Sequence, residues 1–445
     1  MPDTKKTTSR SLPIRAFFIV ILALMVGSLL LTAYWRYRDL AAQSDARKSE
    51  GTSPTYQFQV SGPSMVPSLY GPACPTVCQR CERSERVEAK FDQLLPRHRI
   101  CSVCGGALKR VALASDETLV PGDIIQIREL SQAEKAKLKI GDVVAINHKA
   151  KLSVKRIAAL PGDEITIKGQ RILVNNQRLE DIVAYRSTSR KTARSTVPIP
   201  TANWLVVDED GRQFESRWKS DGKSALWQQA DQSTWTLQGD TTGDDQWSDW
   251  LIYHHRNIYL QDQDGKAAIG PVMDDDAFNL GLPRKLNEAD RLAVAAEINH
   301  SRAVTLQAAF WSADAIMVAK LQVSAEGKWH ATYYDTKPID KEQESQFPVT
   351  KASPIAIRFA GLKNQIQLKK LAVSRMVEFR LRSSDSDRFY PLRLKQGQAF
   401  MLGDNVTASE DSRQWGPIPI DHIVGKVINA KTQVSDSIPA TTNRE

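Results

Sequence analysis

Apolar residues run almost unbroken from Ala16 to Trp35 (AFFIVILALMVGSLLLTAYW), an uncharged stretch of 20 residues. At about 1.5 Å per residue such a helix spans the roughly 30 Å core of a bilayer, and Tyr34 and Trp35 suit its aromatic border. Lys5, Lys6, Arg10 and Arg15 precede it against Asp3, while Arg36 and Arg38 against Asp39 follow. That asymmetry predicts an uncleaved anchor with the N-terminus in the cytoplasm and everything after about residue 38 outside. A cleavable leader is the alternative, but the run exceeds the usual length of about 7 to 15 residues and no small-x-small site cleanly precedes Tyr34. Beyond a polar tether, Leu40 to Thr55, the period shortens to two. Tyr56-Gln57-Phe58-Gln59-Val60 predicts a strand running into a Ser61-Gly62-Pro63-Ser64 turn. Pro121-Gly122-Asp123 and Ile140-Gly141-Asp142 are two Gly-Asp turns, each entering a strand, Ile124 to Ile127 and Val143 to Ile146. A further strand carries Lys155, and a hairpin pairs Glu164 to Ile167 with Ile172 to Asn175 around Lys168-Gly169-Gln170.

From Tyr185 to about Asp387 the alternation continues in a different setting. Leu292/Val294/Ala296/Ile298, Ile355/Ile357/Phe359 and Ile366/Leu368 repeat every second residue, helical periodicity is sparse, and eight of the ten tryptophans fall here. The segment reads as an inserted β-sandwich of jelly-roll-like type, its tryptophans mostly core, with a glycan or protein as the partner such a module would take. Ala399 to Leu402 and Ile423 to Ile428 then return the chain to its first β core. The expected fold class is therefore mainly β, with an N-terminal transmembrane helix, an antiparallel β core and the insertion. The expected map is a cytoplasmic tail over 1–15, the span over 16–35, the tether over 36–55 and the opening stretch of the core over 56–183. The insertion follows over 185–387, the closing stretch of the core over 389–430 and a flexible tail over 431–445.

Composition changes this picture little: 41% hydrophobic and 25% charged residues describe a globular chain and exclude disorder as the default. A net charge of +9 is spread without basic blocks, which excludes a nucleic-acid module and suits an anionic membrane surface. The cysteines matter more. All five lie between Cys74 and Cys104, as Cys78-x2-Cys81 and Cys101-x2-Cys104 plus Cys74. Two CxxC pairs at this separation match a zinc ribbon, in which each pair supplies two thiolates to a closed, structural tetrahedral site. They define a zinc-ribbon-like insertion over 74–106. Two disulfides are the competing reading for an extracytoplasmic location, and Cys74 is left over in both.

A serine exposed by a Gly-Pro turn is ordinarily a turn residue, and a lone lysine ordinarily a solvated one. Three segments in fixed order change that judgement: the Ser61 to Leu69 turn, the Val154-Lys155-Arg156-Ile157-Ala158-Ala159-Leu160-Pro161-Gly162-Asp163 run, and Gly403-Asp404-Asn405-Val406-Thr407-Ala408-Ser409-Glu410-Asp411-Ser412-Arg413. Together they resemble the type I signal peptidase family of membrane-bound Ser-Lys proteases. The resemblance implies Ser64 as nucleophile, Lys155 as its general base, Ser409 orienting the lysine, and Asp411 with Arg413 supporting the loop. It implies no cofactor for catalysis, substrates that are exported precursors bearing signal peptides, and a bacterial plasma-membrane location with the catalytic domain outside. Gly62 stands where many members carry a serine that donates to the oxyanion, and Val406 stands where many carry a basic residue. Two other readings compete: a self-cleaving repressor-type Ser-Lys peptidase, which has no anchor, and a catalytically inactive membrane scaffold that binds partners through the cysteine module and the sandwich.

Overall fold

The computed structural model describes residues 53–94, 98–113, 118–188, 204–209, 216–221, 227–231, 234–238, 247–261, 267–279, 281–282, 284–312, 315–361 and 365–431. The expected cytoplasmic tail, membrane span, most of the tether and the C-terminal tail lie outside these residues. Among the described residues no helix is long and apolar enough to cross a membrane. The described residues from Thr55 onward cluster as one compact unit, and it is mainly β with few, short helices.

The predicted strands of the first core form a seven-stranded antiparallel sheet. Its spatial order is 55–59, 124–129, 423–431, 143–148, 151–159, 398–402 and 418–419. Strands from both ends of the sequence interleave, so the sheet closes only after the long insertion has been traversed. Apolar residues of the sheet are buried on both faces, which is why Lys151–Ala159 passes from exposed to wholly buried along its length. Hydrophobic clusters around Ile146 and Ile157 on one side, and around Phe400 and Leu402 on the other, hold it. The predicted hairpin is present as Glu164–Lys168 with Arg171–Val174. Gly169 and Gln170 both take positive φ, the geometry of a tight hairpin turn. Met65, Val66 and Leu69, beside the Ser64 turn, are buried core residues.

Among the glycines dictated by close approach, two bear directly on the serine turn. A side chain on Gly122 would collide with the Val60 carbonyl, so the Pro121-Gly122-Asp123 turn can sit directly behind the strand leading to Ser64 only without a Cβ. Asp123, buried, then accepts from the Tyr70 amide (2.8 Å) and from Arg86 (3.2 Å), tying that turn to both ends of the region that follows the serine. Gly403 is the second case and belongs to the site.

The tryptophan-rich segment builds two further antiparallel sheets. One runs 227–229, 234–238, 365–376, 292–299 and 326–332, with 204–209 pairing to 365–376; the other runs 218–220, 251–253, 355–360, 304–311, 316–323 and 337–338. One hydrophobic core lies between them. Leu292, Val294, Ala296, Ile298, Ile355, Ile357, Phe359, Ile366 and Leu368 are all in it, as the alternation requires, and so are Trp218, Trp227, Trp235 and Trp329. An ion-pair network joins these sheets to the first core: Arg171 to Glu378 (2.7 Å), Arg178 to Asp290 (2.9 Å) and Arg291 to Asp181 (2.8 Å).

Candidate active site and cysteine cluster

Ser64 and Lys155 are 91 positions apart in sequence, and the fold brings them into contact: Lys155 Nζ donates to Ser64 Oγ at 2.9 Å. The serine sits at the top of a turn closed by Val66 N to Pro63 O (3.1 Å) and Leu69 N to Met65 O (2.9 Å). The lysine is only 3% exposed, at a point where its strand has passed into the interior. Loss of water pushes its pKa from 10.5 down to about 8, partly opposed by the negative charge of Asp411 and assisted by the positive charge of Arg413. Trp415 lies beside the amine, its ring centre 5.8 Å from Nζ, and stacks with His148 at 4.6 Å. Sequence reasoning missed this shield, because a single tryptophan four positions past the Asp411 helix cap carries no signal by itself.

Ser409 is wholly buried, but the hydrogen bond its hydroxyl makes is to the Glu410 carbonyl (3.4 Å) rather than to the lysine amine. It packs instead against Gly403, where an added Cβ would collide with Ser409 Oγ and with the Ser64 carbonyl. Gly403→Ala is therefore expected to cost at least about 100-fold in kcat, by pushing Ser64 and Ser409 apart and misplacing reacting groups by about 1 Å. A steady-state assay of the variant, accompanied by its melting curve, checks this; undiminished turnover would refute the close packing.

Asp411 and Arg413 form the expected pair, bonded at 2.9 and 2.8 Å. Both are buried, and each has further contacts: Asp411 accepts from the Gly403 amide (3.0 Å) and caps the short helix Ser412–Trp415, while Arg413 donates to the carbonyls of Val406 (2.7 Å), Arg380 (3.1 Å) and Ser409 (3.3 Å). A buried pair of this kind is held by its extra hydrogen bonds, since the Coulomb term alone barely offsets desolvation.

A second buried pair was not anticipated. Arg156, next to the lysine and 1% exposed, grips Asp404 through two bonds of 2.7 and 2.6 Å. Ser68 donates to the same carboxylate at 2.5 Å. This triad fastens the lysine strand, the serine turn and the Gly-Asp-Asn loop to one another. Nothing local marks Arg156 for burial, because that depends on a partner 248 positions away.

The serine and lysine open into a cleft of about 680 Å³, lined by Phe58, Gly62, His148, Leu152, Lys155 and Trp415 among others. One wall includes Phe58 and Gln59 of the sheet edge 55–59, a strand whose residues are all exposed. On the other, the ladder from 398–402 reaches only Arg156 to Ala159, so residues 151–155 have no partner strand on that side among the described residues.

The four CxxC sulfurs converge. Cys78, Cys81, Cys101 and Cys104 offer Sγ atoms within 4.8 Å of one another. The closest pairs are Cys78 with Cys104 at 3.4 Å and Cys81 with Cys101 at 3.7 Å. These are far beyond a disulfide bond of about 2.05 Å. They lie close to the edge of about 3.8 Å that a tetrahedron with metal–sulfur bonds of about 2.3 Å would have. Each pair forms the same loop: the amides of Arg80, Val103 and Gly106 donate to sulfur at 3.4 Å, and Glu82 and Gly105 take the positive φ that turns the chain. The donor set and geometry fit a metal held by four thiolates. Cys74 is outside the cluster, buried in an apolar pocket with Val87, Phe91 and Leu94, and burial raises its thiol pKa.

A mainly β chain in which a serine, a lysine and a Gly-Asp-Asn loop meet at one cleft falls in the class of signal peptidase-like proteins. More particularly, it belongs to the family described as "Signal peptidase, peptidase S26", which matches residues 102–241 and 314–430, more than half of the chain. The matched blocks contain Lys155, Ser409, Asp411 and Arg413; Ser64 precedes them. A stretch of 51 residues is 43% identical to "Thylakoidal processing peptidase 1, chloroplastic" of Arabidopsis thaliana, covering 11% of this chain and 15% of that protein's length. A solved structure, "Structure of PfGH50B", overlaps 40% of this chain and 24% of its own at 10% identity, with a TM-score of 0.21, too low to bear on the fold.

Proposed function

We propose that this chain is a membrane-anchored serine endopeptidase that removes signal peptides from exported precursors with a Ser64–Lys155 dyad. The observation that carries the reading is the 2.9 Å contact between Ser64 and a lysine depressed to about 8. Below that value the amine donates to the serine. Above it the lone pair is free, the same contact reverses, and the serine hydroxyl gives up its proton as it attacks the scissile carbonyl. The protonated lysine then delivers that proton to the leaving amine, and water completes hydrolysis of the acyl-enzyme. Ser64's own amide is one oxyanion donor. Ser409 packs on Gly403 next to the Ser64 carbonyl, and Asp411 with Arg413 holds the loop in place.

The substrate segment would enter as an extended strand beside residues 151–155, its backbone taking the free side of that strand and its small side chains filling shallow regions of the cleft. Ala16 to Trp35 would anchor the protein beside a substrate that is itself in the membrane. The cysteines would hold one structural zinc, with no cofactor at the dyad. The inserted sheets would form a β-sandwich module with a glycan or protein partner. Its second boundary is better drawn near Met376 than at Asp387, because Val377, Phe379 and Leu381 pack in the peptidase core.

Incubation of the detergent-solubilised protein with a precursor bearing an Ala-x-Ala site, beside Ser64→Ala, tests the reading. Cleavage by the wild type alone is expected, and cleavage by neither or both would overturn it. Gly62 adds a second test. Open space surrounds its Cβ position, so Gly62→Ser fits without strain and places a hydroxyl where many relatives carry an oxyanion donor. A gain in kcat of about tenfold, short of the roughly 10² to 10³ that an optimally placed donor contributes, is expected with KM little changed. A fall in kcat would show that the position serves another purpose.

A further inference from the structure

The tryptophan-rich segment is not confined to its own sheets. Residues Asp274 to Asn279 and Gly281 reach the peptidase site and the cysteine module. Asn279 and Asn405 face each other as a reciprocal amide pair: Asn279 Nδ2 donates to Asn405 Oδ1 at 2.9 Å, and Asn405 Nδ2 donates to Asn279 Oδ1 at 3.1 Å. Phe278 packs on Val66 and Ala73 and meets Tyr70 edge-on at 5.7 Å, beneath the Ser64 turn. The Gly281 amide donates to Glu88 of the cysteine module at 2.8 Å.

Asn405 is the residue through which this contact matters. Its backbone amide donates to the Ser64 carbonyl (3.0 Å), and its own carbonyl accepts from the Ser409 amide (2.9 Å). Its side-chain oxygen also accepts from the Ala408 amide (3.2 Å). Whatever sets the angle of Asn405 therefore sets the spacing between the serine turn and the Ser409 loop. At its other end the turn is fastened to the inserted sheets: Arg375, buried on strand 365–376, donates to the Asp275 carbonyl, and Asp274 is bound by Arg284 (2.7 Å) and Asn287 (2.9 Å). Asp276 Oδ1 accepts from the Phe278 amide (2.7 Å), stiffening the turn between these anchorages.

We infer that Asn279 is a positioning residue for the peptidase site, supplied by the insertion: it holds Asn405, and through it the Ser64 carbonyl and the Ser409 loop, in the arrangement that keeps Lys155 on the serine. This rests on the Ser64–Lys155 reading above. It makes the inserted module a component of the catalytic apparatus, so that displacement of strand 365–376 reaches the dyad through Arg375, the turn and the paired amides. The pair is chemically self-selecting: two amides satisfy each other in both directions, whereas a carboxylate on one side would oppose an acceptor to an acceptor.

The experiment measures cleavage of the Ala-x-Ala precursor by the full chain carrying Asn279→Ala, Asn279→Asp, Asn405→Ala, the Asn279→Ala/Asn405→Ala pair and Ser64→Ala. Asn279→Ala is expected to lower kcat about 10- to 30-fold with KM within about twofold, because misaligned groups react slowly while the cleft is unchanged. Asn279→Asp should do no better. The double variant should lose no more than Asn405→Ala alone, as for residues acting through one contact. Melting temperatures separate this from general unfolding, since a merely structural role would move them and leave the per-molecule kcat of the folded fraction intact. A dead Ser64→Ala beside an Asn279→Ala with wild-type kcat, or losses that simply multiply in the double variant, would overturn the inference alone. Cleavage by Ser64→Ala would overturn the dyad, and the inference with it.

Discussion

Lys155→Arg is expected to be as inactive as Lys155→Ala, each at least about 10³-fold down in kcat/KM, because a guanidinium keeps the charge but cannot release a proton at working pH. Ser64→Ala should match them, and combining it with Lys155→Ala should add almost nothing, as in any unit whose members act together. The wild-type rate should rise with pH through about 8, the value to which burial brings the amine. Measured kcat/KM against pH checks this, and a profile flat from about pH 6 to 10, or near-normal turnover in Lys155→Arg, would remove the general-base role. The same burial has a converse effect on stability. The unfolded lysine keeps its proton up to about 10.5 while the folded one releases it near 8. The folded state is thus penalised in full below pH 8, progressively less as pH rises, and not at all above 10.5. At about 1.36 kcal/mol per unit the penalty is roughly 3 kcal/mol, so Lys155→Met should be more stable in urea at about pH 7 by an amount of that order, the gain fading toward about pH 10.5.

Stripping metal from the cysteine cluster should have the second largest effect. About one zinc per chain is expected by elemental analysis, and Cys81→Ser or a strong chelator should remove it. In small zinc modules metal binding supplies on the order of 10 kcal/mol of folding free energy, and the strands 73–78, 84–88 and 108–110 have little other core. Their loosening would release Arg86 from Asp123 and Glu88 from Gly281, two of the ties beneath the Ser64 turn. Activity should therefore fall about tenfold or more on metal removal although the four cysteines are not members of the dyad, while the inserted sheets, whose core is separate, stay folded. Mass spectrometry showing two disulfides in a metal-free, fully active protein would reverse the assignment.

The regions of this chain legible from sequence are those written in local chemistry. Alternation at 292–298, 355–359 and 366–368 marked strands because a sheet with one buried face imposes a period of two. The CxxC spacing marked the metal-type cluster because each loop alone points two sulfurs at one place. Gly169-Gln170 marked a hairpin, and the three ordered segments around Ser64, Lys155 and Ser409 marked the site.

What only the tertiary structure decided is which distant groups neutralise one another. Arg156 became a buried anchor because Asp404 and Ser68 meet it there, and Ser409 faces Gly403 and Glu410 rather than the lysine because the loop packs that tightly. Trp415 covers the amine, and Asn279 crosses from the insertion to hold Asn405. Most of these depend on a pairing between residues far apart in the chain, and neither member carries in its own neighbourhood any mark of the other. Periodicity reports the face a residue turns toward the core; it is silent on which polar group will be waiting there.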